Sequence, residues 1–91
     1  MNQSSGPFVT QDDTPVTIFG ATIAYTISRV RILNEGSVGG FYSYDGGTVW
    51  HRIPALSVVE DNDLQLHNVA IQVKRQLGAA NLTGVFCSIG Y

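Results

Sequence analysis

The sequence predicts an all-β domain, an antiparallel β-sandwich or small β-barrel of about six to eight short strands with an extended N-terminal arm. Three observations carry that prediction. Apolar residues recur at every second position in several separate runs, the pattern of a strand with one buried face. Clusters of Gly, Asn, Asp and Pro interrupt those runs at intervals of roughly 8–12 residues, as in sandwiches and small barrels. No segment keeps helical spacing for more than a turn; the stretch from Gln72 to Ala80 can be drawn as a helix, but the period-two run leading into it argues for strand.

Residues 1–14 are polar apart from Phe8-Val9 and read as an extended arm outside the packed domain, free or laid on a neighbouring subunit with Phe8 as its anchor. The β domain spans residues 15–91. From Pro15 onward Val16, Ile18, Ile23, Tyr25 and Ile27 alternate with Thr, Ala and Ser. Near Arg29 the phase switches to Val30 and Ile32, the signature of a bulge or bend. Asn34-Glu35-Gly36-Ser37 is a turn by residue type. A strand follows from Gly39 to Tyr44, then the Asp45-Gly46-Gly47 turn, then a strand from Thr48 to Ile53 that Pro54 stops. Leu56–Val59 is a short apolar run, and Glu60-Asp61-Asn62-Asp63 reads as a charged, solvated loop. His67, Val69, Ile71 and Val73 alternate with polar residues, and Gly78-Ala79-Ala80-Asn81 turns the chain. In the last run Val85, Cys87, Ile89 and Tyr91 form the apolar face expected to point inward.

Composition narrows the function. The 91-residue chain is 44% hydrophobic and 13% charged, too apolar for disorder and near the lower size limit for a self-sufficient core. Small domains of this kind gain stability from disulfides, metals or self-association. The one cysteine, Cys87, forms no intramolecular disulfide and reads as a small buried hydrophobe,. His51 and His67 have no third His or Cys at ligand spacing, and the 60–63 carboxylates lack the glycine and terminal Glu of an EF-hand loop,. No metal or other cofactor is therefore expected. A net charge of −2 with scattered basic residues argues against nucleic acid,. No apolar run is long enough for a membrane span, and residues 1–14 have no signal-peptide pattern,. Synthesis in the cytoplasm is the expectation.

The central stretch Ser43-Tyr44-Asp45-Gly46-Gly47-Thr48-Val49-Trp50 resembles the Asp-box hairpin of sialidase-type propellers and other extracellular and phage proteins. Ser43, Asp45, Gly47 and Trp50 match its pattern, and Val49 departs from it. The resemblance implies a structural turn in which the Asp side chain holds backbone N–H groups and the aromatic packs beneath. The residue chemistry agrees: an Asp before Gly-Gly accepts hydrogen bonds from following amides while glycine takes positive φ. The motif occurs once, so a multi-bladed propeller is excluded.

The order of elements from Val30 to Tyr91 also resembles small accessory structural proteins of tailed bacteriophages. It rests on Gly40-Phe41, Ser43, Asp45-Gly46-Gly47, Trp50, Arg52 and Pro54-Ala55, followed by the strand Ala70–Arg75. That likeness implies a virion role, as a capsid decoration (cement) or tail-associated subunit, without an active site. The expected partners are copies of the chain and a capsid or tail protein. Phe8, Tyr42, Tyr44, Lys74 and Arg75 are the interface candidates, Lys74-Arg75 through ion pairs across the contact. The tyrosines would be exposed if Phe41 points inward. The alternative is a carbohydrate-binding module with Tyr42, Tyr44 and Trp50 as the aromatic platform. No pair of titratable groups is spaced for acid–base catalysis, so an enzyme is not expected.

Overall fold

The computed structural model describes residues 2–19, 26–67 and 70–91, which contain eight strands and no helix. They are β1 (Asn2–Val9), β2 (Val16–Phe19), β3 (Ile27–Asn34), β4 (Gly40–Ser43), β5 (His51–Ile53), β6 (Val58–Asp61), β7 (Ile71–Arg75) and β8 (Thr83–Gly90). Two four-stranded antiparallel sheets form, ordered β1-β8-β3-β6 and β2-β7-β4-β5. This is the expected all-β sandwich. Its core is built from Val30, Ile32, Ile53, Ile71, Val73 and Leu82, all fully buried.

The phase change near Arg29 is a register irregularity: β3 pairs Ile27 with Gly90 and Arg29 with Ile89, skipping one residue. The extra residue lets Ile27 and Val30 both point inward,. Ile23, Tyr25 and Val69 of the expected pattern lie outside the described residues.

Three expectations change. The N-terminal residues are extended, but Asn2–Val9 belongs to the packed domain: every residue of β1 pairs with β8, from Asn2 opposite Gly90 to Val9 opposite Thr83. An edge strand is held by its backbone ladder and needs few apolar side chains, so the polar sequence of β1 hid it. Its one anchor, Phe8, is buried in this chain's own core. Behind β1, buried Thr10 fixes the crossing to the second sheet. Its N–H donates to the Leu82 carbonyl at 2.9 Å and its Oγ1 accepts the Leu82 N–H at 2.8 Å.

The second change is in β8. Its inward residues are Gly84, Phe86, Ser88 and Gly90, while Val85 faces outward and Cys87 is only half-buried. Gly84 explains the inversion, because a Cβ there would lie 2.8 Å from the Phe8 ring and would strike the Leu33 carbonyl. The ring of Phe8 occupies the space that a side chain on β8 would have filled.

The third change is that Glu60 and Asp61 are not loop residues; they end β6, which pairs with β3 from Val58 opposite Leu33 to Asp61 opposite Val30.

Candidate functional site

Three surfaces hold the residues singled out by the sequence. The first is the turn between β4 and β5. Asp45 Oδ1 accepts the backbone N–H groups of Thr48 and Val49, each at 3.0 Å. Ser43 Oγ donates to the same oxygen at 2.6 Å and accepts the Gly47 N–H at 3.0 Å. Gly46 and Gly47 take φ of 74° and 99°, where a side chain would be strained. These hydrogen bonds, led by the one from Ser43, hold the Asp45 carboxyl below its ordinary range. Serine, aspartate and both glycines are thus all used in building the turn, as the residue types indicate.

Trp50 closes the turn on the outer side of its sheet. A Cβ on Gly47 would come within 3.3 Å of the indole, so the glycine also makes room for the ring. Lys74 covers the other side, with Nζ 4.2 Å from the Trp50 ring and 5.6 Å from that of Phe41. A cation over two aromatic faces shields apolar area that would otherwise meet water.

The second surface is the mouth between the sheets. Phe41 does not point inward; Tyr42 does, and it is buried in the core. Tyr42 and Tyr44 share a face, with ring centroids 5.3 Å apart, and His51 lies beside them at 5.1 and 6.1 Å. Both phenol groups donate to Asp61 Oδ2 on β6, Tyr42 at 3.4 Å and Tyr44 in a closer contact. Burial, reinforced by the Asp61 carboxylate, pushes both phenols above their ordinary value. The expected exposed tyrosine patch is therefore an inter-sheet bridge. The alternation of β4 left two aromatic faces to choose between, and Asp61, distant in sequence, decides the choice.

The remaining candidates are also satisfied within the chain. Arg75 donates from Nε to Asp13 at 2.9 Å and from Nη1 to Asn81 at 2.9 Å. Asp13 also accepts the Gly78 N–H, and that bond, followed by Arg75, lowers its carboxyl pKa. Thus Phe8, Tyr42, Tyr44, Lys74 and Arg75 all have partners in their own chain, and the ion pair expected across an interface is made internally.

The third surface was not singled out by the sequence. On the outer face of the β1-β8-β3-β6 sheet, Pro7 stands opposite Val85, Val85 opposite Leu33, and Leu33 opposite Val58. All four are exposed, and Val85, Leu33 and Val58 retain 40%, 37% and 43% of their accessible surface. They form one apolar row across the full width of the sheet. The next row is Ser5, Cys87, Arg31 and Glu60, with Arg31 and Glu60 in a loose 3.7 Å ion pair. The row exists only in the register of four strands. The sequence signal that marks it is an outward Val, Leu or Pro in β1, β3, β6 and β8 at once.

Among the described residues no group of three His, Cys, Asp or Glu side chains is placed to hold a metal ion. An open groove of about 470 Å³ at the seam of β1 and β2 is walled by Phe8, Val16, Ile18 and Phe86. The nearby Thr17 hydroxyl accepts a hydrogen bond from Gln72. No family model, curated protein or solved structure matches this chain.

Proposed function

We propose that the chain is a non-enzymatic structural subunit of a virion, a capsid decoration or tail-associated protein that works by binding its own copies and a major structural protein. The observation that carries this reading is the apolar row on the outer face of the β1-β8-β3-β6 sheet. Isolated exposed apolar residues are ordinary on protein surfaces, but a contiguous set spanning a whole sheet marks a contact surface. The residues with notable chemistry support the same reading. The turn carboxylate, the two phenols and the basic pair each hold part of the fold together. The alternative glycan platform needs three rings on one face, whereas Tyr42 and Tyr44 bridge to Asp61 and Trp50 packs with Lys74 on the other side of the sheet.

The experiment is light scattering on the purified chain over a concentration series, followed by cosedimentation with empty shells or tails. Self-association together with saturable binding to the particle is expected. A chain that stays monomeric at every concentration and leaves the particles bare overturns the proposal.

A further inference from the structure

The outer face of the β1-β8-β3-β6 sheet carries an ordered pair of opposite charges along its central strand β3. Along β3 the outward positions read Arg31, then Leu33. The next outward position in the alternation is the exposed Glu35, whose N–H still donates to the Thr83 carbonyl at 2.9 Å and so continues the ladder. A cation and an anion thus flank an apolar residue at equal spacing. Rotation by half a turn about a line along the apolar row exchanges the two charges and returns each residue of the row to itself.

Resting on the self-association reading above, we infer that this face binds a second copy of the chain across a two-fold axis running along the row Pro7-Val85-Leu33-Val58. Leu33 then meets Leu33 of the second copy, Val85 meets Val85, and Arg31 of each copy lies opposite Glu35 of the other. Such an isologous contact needs a self-complementary patch. This face supplies one along β3, where Arg31 and Glu35 stand at equal spacing on either side of Leu33 and the Arg31–Glu60 ion pair is a loose 3.7 Å. An apolar centre inside a polar, charge-balanced rim is the ordinary anatomy of a protein interface.

The row lies near one end of the sheet, because β3 runs from Ile27 to Asn34. The two copies therefore overlap over the rows from Arg31 to Glu35, where five residues of about 3.3 Å rise on four strands about 4.8 Å apart give roughly 300 Å² in projection. A contact of that size suits a weak, concentration-dependent dimer. Two such sheets stack about 10 Å apart with strands within about 30° of alignment, as the sheets of a sandwich do.

Two variants and a crosslink test the geometry, using sedimentation velocity on the full chain with circular dichroism to establish folding. Val85→Glu buries a charge at the apolar centre and is expected to weaken dimerisation by roughly 30-fold or more. Glu35 is an exposed residue outside the core, so Glu35→Arg leaves the packing intact; it sets like charges opposite each other and is expected to weaken the dimer by roughly 3- to 10-fold, more at low salt. Leu33→Cys in a Cys87→Ser background is expected to give a covalent dimer with a short bismaleimide, because the axis brings position 33 against itself.

Wild type that self-associates while Glu35→Arg has no effect and position 33 does not crosslink overturns this axis but leaves the self-association reading intact. Wild type that is monomeric throughout overturns both.

Discussion

The two outer faces of the sandwich solve the same problem differently. Each belongs to a four-stranded sheet of one small chain, and each carries large apolar groups on its solvent side. On the β2-β7-β4-β5 sheet those groups are aromatic and are covered from within, Trp50 and Phe41 by the Lys74 side chain and the turn by its own Ser43 and Asp45. On the β1-β8-β3-β6 sheet they are aliphatic, and Val85, Leu33 and Val58 remain exposed. A flexible cation can lie across a ring and gain from its quadrupole, but it gains much less over a valine. Aromatic outward residues can therefore be sheltered intramolecularly, whereas an aliphatic row is best sheltered by another apolar surface.

The largest way to break this contrast is to remove the rigidity behind the uncovered face. Gly84→Ala places a methyl group 2.8 Å from the Phe8 ring and into the Leu33 carbonyl, a backbone atom that cannot swing aside. A loss of about 3 kcal/mol or more is expected, at or above the usual range for overpacking. Chemical denaturation read by circular dichroism checks it, and a loss under about 1 kcal/mol would show that β1 lies more loosely on β8 than described.

A smaller effect comes from uncovering the sheltered face. Lys74→Ala strips Trp50 and Phe41 of their cation and should cost about 0.5–1 kcal/mol. It should also red-shift the tryptophan emission, with Trp50 the only tryptophan present. If intramolecular cover is what keeps this face inert, the variant also gains weak self-association that wild type lacks in a Glu35→Arg background.

The smallest effect is an acid one, confined to the sheltered side. Asp45 and Asp13 both have carboxyl pKa values below the ordinary 3.8. A lowered folded-state pKa means that the stabilisation is fully present above the ordinary value and is lost as pH falls through the lowered one. Both groups are solvent-exposed, so the loss is modest. An NMR titration should show the Thr48, Val49 and Gly78 amides shifting below pH 3.8 while the amides of β8 stay put.

How far the sequence could anticipate this depends on whether a feature is local. The turn at Asp45 was legible because its donors and acceptors lie within a few residues. The bulge after Ile27 was legible because a phase change is written directly in the order of apolar residues. β1 was not, since backbone pairing with a strand at the other end of the chain leaves no mark on composition. The orientation of β4 was not legible either. Phe41 and Tyr42 are equally apolar neighbours, and the choice between them follows from Asp61 across the sandwich. The aliphatic row is the extreme case, because its members share nothing in sequence and meet only through three strand registers.

One arrangement bears on how the protein is made. β8 is the last of the eight strands in the sequence, yet it lies between β1 and β3 and pairs with both along most of its length. While the ribosome is still translating residues 83–90, the N-terminal segment has been waiting with no ladder partner and Phe8 with no pocket. Acquisition of the first sheet is thus held back until the eighth strand emerges, and closing so long a loop is slow. A nascent chain stalled before Thr83 would present its unpaired β1 and the open edge of β3 to chaperones, or to the corresponding strand of a neighbouring polypeptide.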